Sequence, residues 1–593
     1  MIARHAGRNR GTVLSAARPC DIRHMSRTAP GRGWRFAIDR GGTFTDIVAT
    51  APDGTLHAHK VLSRDPAHPG DAAARGIGEL LGRHGAAGAS VESVRLGTTV
   101  ATNALLERNG EATLLVVTRG LRDVLRIGQQ HRPDIFAREI RLPPVLYARA
   151  IEADERMAAD GAVLEPLDEA ALAAALAAAR RDGLRAVAIA FLHSVANPAH
   201  ERRAVELARA ASFTEVVASH AVAPIVGLIA RGDSAVADAY LSPVLLRHVQ
   251  AFRDELAGRH GAVPLLAMQS NGGLVDPDGF RGIHSVLSGP AGGVVALAAA
   301  GATARRGRLI GFDMGGTSTD VSLYAGELPR RYATEIDGVR LQVPMMDIHT
   351  IAAGGGSVVR FAAGRLQAGP DSAGADPGPA CYRRGGPATV TDCNVVLGRI
   401  RAERFPQVFG PRGVEPLDPD ASRARLAAIA AQVRGAGGPE YGIEELAAAF
   451  VEVAVAKMAN AIRELALRHG EDTQRFALVP FGGAAGQHAC AVADLLGIDT
   501  LVLHPLAGVL SAWGISLARR RSLHRRSVEA RLDHDGLAAA AAMLATLADA
   551  ARGDLERQDV AAAAIELRRT AQLRLAGSDA AREVEWQAAP ALP

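Results

Sequence analysis

The sequence predicts an α/β protein of two related lobes that face each other across one ligand, with a partial α+β module behind them. One pattern occurs twice, as Asp39-Arg-Gly-Gly-Thr-Phe-Thr-Asp46 and as Asp313-Met-Gly-Gly-Thr-Ser-Thr-Asp320. Each copy lies between short apolar runs: Trp34, Phe36 and Ile38 before the first, Leu309, Ile310 and Phe312 before the second. That arrangement reads as strand, tight turn, strand. Between the copies, strand-like and helix-like segments alternate as far as Leu297, the pattern of α/β units.

The turn residues have a chemical reading. Gly41, Gly42, Gly315 and Gly316 let backbone N–H groups face an anion with no Cβ in the way. Thr43, Thr45, Thr317 and Thr319 carry hydroxyls that can donate to phosphate oxygens, and Asp39 and Asp313 suit Mg²⁺ or its water shell. A lone Gly-Gly turn is an ordinary hairpin, but these two agree at all but their second and sixth positions. A third glycine-rich stretch, Phe481–His488, follows the apolar run Phe476–Val479 and precedes a helical run, Ala489–Leu496. Gly482, Gly483 and Gly486 would leave bare backbone there for the adenosine part of a nucleotide. The three loops resemble those of the actin, Hsp70 and sugar-kinase superfamily. The resemblance implies two ribonuclease H-like lobes around a nucleotide cleft and ATP as the ligand.

Other elements follow from local pattern. Ala72–Leu81 reads as a helix, and Val94–Asn103 as a strand ending in a hydroxyl-rich turn. Leu114–Thr118 is a buried strand of β-branched residues and leucine. Gln129–Phe136 is a polar loop with His131, Arg132 and Asp134. Asp168–Arg181 is an alanine-rich helix feeding the strand Ala186–Phe191. Ile443–Arg468 is a long helix whose face is simple packing. From about residue 522 the chain reads as alanine-rich helix, then a strand over Ile565–Leu575. Four regions are expected: 1–33, a disordered extension; 34–215, with the first phosphate loop; 216–520, with the second phosphate loop and the adenosine loop; and 521–593, a partial module.

Bulk properties exclude several classes. At 593 residues the chain exceeds a single core. Its net charge is only +4, and its arginines lack interleaved aromatics, so nucleic acid is not an expected partner. Cys20, Cys381, Cys393 and Cys490 form neither a disulfide framework nor a zinc pattern, which predicts a reduced, cytoplasmic setting. No apolar run reaches about 18 residues, so no membrane span is expected.

The ordered stretches Asp39–Asp46, Leu96–Glu107, Thr118–Asp123, Ser270–Gly273, Leu287–Gly293, Gly311–Asp320, Asp347–Gly356, Gly374–Tyr382 and Phe481–His488 resemble the hydantoinase A / 5-oxoprolinase family. That family also contains nucleotide-binding subunits of acetone and acetophenone carboxylases. Gln130–Phe136, Ala230–Ser234 and Asp238–Pro243 look most like the 5-oxoprolinase branch. The resemblance implies ATP- and Mg²⁺-dependent hydrolysis of a cyclic amide, 5-oxo-L-proline to L-glutamate, by phosphorylation of the lactam carbonyl. It further implies that this chain corresponds to the A-type half, acting in an oligomer with a B-type module or subunit. The alternatives are an N-methylhydantoinase, a ketone carboxylase subunit, a non-catalytic remnant, or an actin- or Hsp70-like ATPase.

On that reading Asp39 and Asp313 are the catalytic, Mg²⁺-holding pair, and the loop glycines and threonines bind the nucleotide. A 5-oxoproline carboxylate calls for a bidentate cation, for which Arg132 and Arg231 are candidates. Thr98, Thr99 and Asn103 could bind the ring amide or simply form a turn. Asp347 and His349 could hold a second divalent metal or pack by hydrogen bonding. His193, His200 and Glu201 resemble a metal cluster or a helix cap. Cys381 and Cys393 lack a neighbouring histidine and are not expected to be nucleophiles.

Overall fold

The computed structural model describes residues 2–4, 31–63, 70–130, 136–139, 142, 144–405, 407–578 and 581–586. Both predicted hairpins form, and with the same register. Trp34–Arg40 pairs antiparallel with Phe44–Thr50, and Leu309–Met314 with Thr319–Tyr324. Asp39 lies opposite Asp46, and Asp313 opposite Asp320. Each hairpin supplies the fourth and fifth strands of a six-stranded mixed sheet.

The two sheets share one order. In the first, Leu56–Leu62 extends the hairpin on one side, while Val91–Thr98 and then Leu265–Met268 lie parallel to it on the other. In the second, Ile348–Ile351 takes the place of Leu56–Leu62. Ala477–Phe481 and Thr500–Val502 replace the parallel pair. The lobes are thus copies of one topology. The first sheet draws strands from both sides of residue 215, because Leu265–Met268 and Leu274–Val275 belong to it. Within the expected N-terminal extension, Ile2–Arg4 pairs with Thr500–Val502 at the edge of the second sheet.

Both faces of each sheet are covered, which is why the central strands are almost continuously apolar. In the first lobe Phe36, Ile38 and Ile47 pack under the helices Ala72–Arg83 and Leu228–His260. On the opposite face Ala37 meets Ala291, Val294 and Ile515. The second lobe packs Ile310, Phe312 and Val321 against Phe450, Met458 and Ile462 of the helix Ile443–Arg468. Each such fully buried side chain contributes about 1.5–3 kcal/mol.

A third sheet, not anticipated as a separate unit, is parallel throughout. Its order is Glu215–Ala218, Ala186–Ala190, Thr113–Thr118, Tyr147–Ala153. The helices Glu169–Arg181 and Ala199–Ala210 cover one face. The other face lies under Ala235, Val236 and Ala239 of the 33-residue helix Leu228–His260. That helix then continues to the first lobe through Leu245, Val249, Phe252 and Leu256. Pro243 falls where it passes from one core to the other.

Two helices brace the lobes. Ser288–Ala304 packs on strands of both sheets, and Leu510–Leu517 packs across the first hairpin. They cross at Gly292 and Gly514, where a Cβ on Gly514 would overlap the Gly292 carbonyl. The C-terminal residues form the helix His534–Glu556, beginning later than expected, and a hairpin of Thr570–Arg574 with Ala581–Glu585. Among the described residues no helix is long and apolar enough to cross a membrane.

Candidate active site

The turns that join the hairpin strands are held alike. The Gly41 N–H donates to the Phe44 carbonyl at 3.0 Å, and the Gly315 N–H to the Ser318 carbonyl at 3.0 Å. At the tips, a Cβ on Gly42 or Gly316 would meet nothing within 4 Å, so both turns face open space. Thr43 is half-buried and Thr317 exposed at these tips. Thr45 and Thr319 differ: both are fully buried. The Thr45 hydroxyl lies 3.0 Å from Ser63 Oγ, which donates to the Gly41 carbonyl at 2.7 Å. The Thr319 hydroxyl donates to the Ala353 carbonyl. The outer threonines therefore fasten the turns, while the tips stay open.

Four carboxylates converge behind the turns. Asp39, Asp46, Asp313 and Asp320 all lie deep between the lobes, yet each keeps some surface open to solvent. Burial, then the Asp46 charge, pushes Asp39 up to about 7, with Asp320 adding and Lys60 opposing. Asp313 is pushed well above the usual carboxylate range by burial, then by Asp320, Asp39 and Asp46. Burial raises Asp320 to about 6 against the Thr350 hydroxyl, which donates to it at 2.5 Å. Asp46 is raised by burial and held down by Lys60, its ion-pair partner. Asp39 Oδ1 is buried without a hydrogen-bond partner among the described residues. No three of these carboxylates come close enough to form a metal cage among the described residues, so a hard divalent cation here would take one or two of them and complete its shell with phosphate and water oxygens.

The glycine-rich loop Phe481–His488 is attached to the second turn. The Ala484 N–H donates to the Met314 carbonyl at 2.9 Å, and Gly482 adopts a φ of +81° against the Asp313 carboxylate. Gly483 and Gly486 are exposed, with nothing within 4 Å of where a Cβ would stand. The glycine run Gly354–Gly356, which sequence reading left without a role, backs the same turn. Gly355 and Gly356 donate to the Gly315 and Gly316 carbonyls at 3.1 and 2.6 Å. Its signal was the density of glycine beside Asp347.

Several candidates take other tasks. Arg231 is fully buried and spends its guanidinium inside the protein, on Ser219 Oγ (2.8 Å), the Phe191 carbonyl (2.6 Å) and the Ile225 carbonyl (3.3 Å). That geometry contradicts a substrate carboxylate at Arg231. Arg132 lies outside the described residues. Thr98 is buried where its strand meets the next helix, its backbone bonded to Ser288 Oγ, and Thr99 Oγ1 donates to the Arg40 carbonyl. Asn103 is half-buried on the helix Val100–Leu106, where the hydroxyl-rich turn was expected. Thr98 and Thr99 are thus joints of the scaffold.

The expected second metal site does not assemble. Asp347 accepts from His469 Nε2 at 2.7 Å, while His349 faces Glu464 at 4.0 Å, so the two pin the strand to the long helix separately. His200 pairs with Glu155 and Glu201 with His220, which also separates that group. No cluster of three potential metal ligands occurs among the described residues. Cys381 and Cys393 are buried, and burial pushes both thiols far up.

Comparison with known proteins agrees with this geometry. The family model for the hydantoinase/oxoprolinase N-terminal region matches residues 35–212, and the hydantoinase/oxoprolinase model matches 231–524. A 5-oxoprolinase of Arabidopsis thaliana is 41% identical over 82% of this chain, which spans 41% of that relative. The caprolactamase subunit alpha of Pseudomonas jessenii is 35% identical over 85% of this chain and 73% of its own length. The crystal structure of the ATP-dependent caprolactamase from Pseudomonas jessenii superposes with a TM-score of 0.78 at 32% identity, covering 93% of this chain and 81% of that one. Twin turns, carboxylates and sequence point the same way: the chain belongs to the hydantoinase/oxoprolinase family.

Proposed function

We propose that this chain is the ATP-using half of a cyclic amide hydrolase, with 5-oxo-L-proline as substrate and L-glutamate as product. The observation that carries this reading is that two matched glycine turns are each backed by a cross-strand aspartate pair, Asp39 with Asp46 and Asp313 with Asp320, and that the pairs lie within electrostatic reach of each other. Two open anion-binding turns facing a carboxylate cluster suit a triphosphate and its divalent cation. The cation would sit at Asp39 and Asp313 and supply charge neutralisation.

Amide resonance protects a lactam carbonyl from water, as its rotation barrier of about 18–20 kcal/mol reflects. Transfer of the γ-phosphoryl group to the carbonyl oxygen, with ADP leaving, makes the carbon electrophilic. Water then adds, the ring C–N bond breaks and phosphate departs. Positioning and electrostatics dominate such a transfer. Here Gly41–Thr43 and Gly315–Thr317 orient the phosphates, while Gly482, Gly483 and Gly486 line the adenosine pocket.

Hydrolysis of the activated amide is assigned to a B-type partner. The likeness to a caprolactamase subunit named alpha supports a divided enzyme. The test is ATP hydrolysis with Mg²⁺ and a B-type subunit, in the presence of 5-oxoproline, N-methylhydantoin, caprolactam, or acetone with bicarbonate. Stimulation by 5-oxoproline above the others is expected. Stimulation by acetone and bicarbonate alone would replace hydrolase with carboxylase chemistry.

A further inference from the structure

One short helix touches both halves of the second lobe's nucleotide machinery. Val390–Val396 begins at a capping box, in which Thr389 and Asp392 satisfy each other's backbone. At its first turn the Thr391 N–H and hydroxyl both donate to the Gly355 carbonyl, at 2.8 and 2.9 Å. Gly355 in turn donates to Gly315, within the second phosphate turn. One helical turn further on, Asn394 Nδ2 lies 3.1 Å from Nε2 of His488, the residue that ends the adenosine loop. Just past the helix, Arg399 donates to the Gln487 carbonyl at 3.3 Å.

The Asn394–His488 contact is unusually isolated. Both side chains are buried, at 1% and 0% exposure, and neither Asn394 Oδ1 nor His488 Nδ1 has another partner among the described residues. Burial, then the nearby Arg399 charge, lowers the His488 pKa to about 4, so the ring is neutral at physiological pH. A neutral imidazole presents one donor and one acceptor, and the amide nitrogen must donate to Nε2. Two polar groups therefore sit in the interior with one mutual bond, an arrangement that costs about 1–3 kcal/mol for each unmet group. Packing alone would favour apolar residues at both positions.

We propose that Val390–Val396 is a spacer that fixes the adenosine loop relative to the second phosphate turn, with Asn394 and His488 as positioning residues for nucleoside recognition. This rests on the ATP reading above. The two ends of the helix have separable duties: Thr391 supports the phosphate turn, and Asn394 with His488 supports the loop around Gly483 and Gly486.

The test is titration calorimetry of the full chain with Mg²⁺ and either ATP or inorganic tripolyphosphate, alongside thermal melting of each variant. His488→Ala and Asn394→Ala are each expected to weaken ATP about tenfold and leave tripolyphosphate unchanged. The double variant should be no weaker than either alone. His488→Gln, which keeps a polar atom near the Nε2 position, should restore most of the ATP affinity. Thr391→Val should weaken both ligands. Wild-type protein that binds neither ligand would overturn the ATP reading itself. Wild-type binding with His488→Ala equally tight for ATP, or with both ligands weakened alike, would overturn the spacer alone.

Discussion

Gly482 packs directly on the Asp313 carboxylate: a Cβ at position 482 would overlap Asp313 Oδ1. The loop Phe481–His488 and the carboxylate behind the second turn are thus in contact, and the positive φ of Gly482 makes that contact possible. Gly482→Ala must strain the backbone, at about 1 kcal/mol, and displace the carboxylate. The variant should fold yet bind Mg²⁺-ATP at least about tenfold more weakly by calorimetry. Full-strength binding would separate the loop from the site.

Asp313→Asn keeps the shape of the side chain but removes the carboxyl that burial and its acidic neighbours keep from ionising. Without ligand, the variant should melt at the same temperature as the wild type or higher, because no ionisable group is then held in that surrounding. Its Mg²⁺-ATP affinity should fall by more than about 1.4 kcal/mol, a factor of ten. A lower melting temperature with normal affinity would give Asp313 a structural task.

The same cluster dictates a pH response. Asp39 is raised from 3.8 to about 7 in the folded chain, so between about pH 4 and 7 the folded state holds a proton that the unfolded state has released. Stability of the free protein should therefore fall as pH rises through that window. A cation binds the deprotonated carboxylates, so the melting-temperature gain from Mg²⁺-ATP should be larger near pH 8 than near pH 6. An equal gain at both would show that protons and cation do not compete there.

Arg231→Met tests the reassignment of that arginine. The Phe191 and Ile225 carbonyls would lose their Arg231 donor, the Ser219 hydroxyl would keep only its bond to Glu201, and Glu201 would lose a nearby positive charge. A loss of about 3 kcal/mol in denaturant unfolding is expected, at about 1–3 kcal/mol for each orphaned group. ATP affinity should be untouched. Normal stability with loss of lactam-stimulated turnover would return Arg231 to the substrate.

The hairpins, the glycine-rich loop Phe481–His488 and the helices Ala489–Leu496 and Ile443–Arg468 were legible because turn chemistry and apolar period are local. The hidden features depend on distant partners. Nothing near Thr45 or Thr319 in sequence announces that their hydroxyls turn inward to Ser63 and Ala353. Asp46 and Asp320 are the last residues of the repeated motif, yet their place beside Asp39 and Asp313 emerges only when strand register sets them opposite. Arg231 looked available because its absorbing partners come from Phe191, Ser219 and Ile225, outside its own segment. The third sheet stayed unrecognised as a unit because its covering helix, Leu228–His260, also serves the first lobe.

The crossing at Gly292 and Gly514 leaves no thickness between the two bracing helices. Gly289, at the start of one, also lies against Asp39, where a Cβ would stand 2.5 Å from Oδ1. The helix that touches Asp39 therefore rests on a junction as thin as two hydrogens. A single methyl at Gly514 would work as a shim there, pushing that helix off its seat while altering no residue of the twin turns.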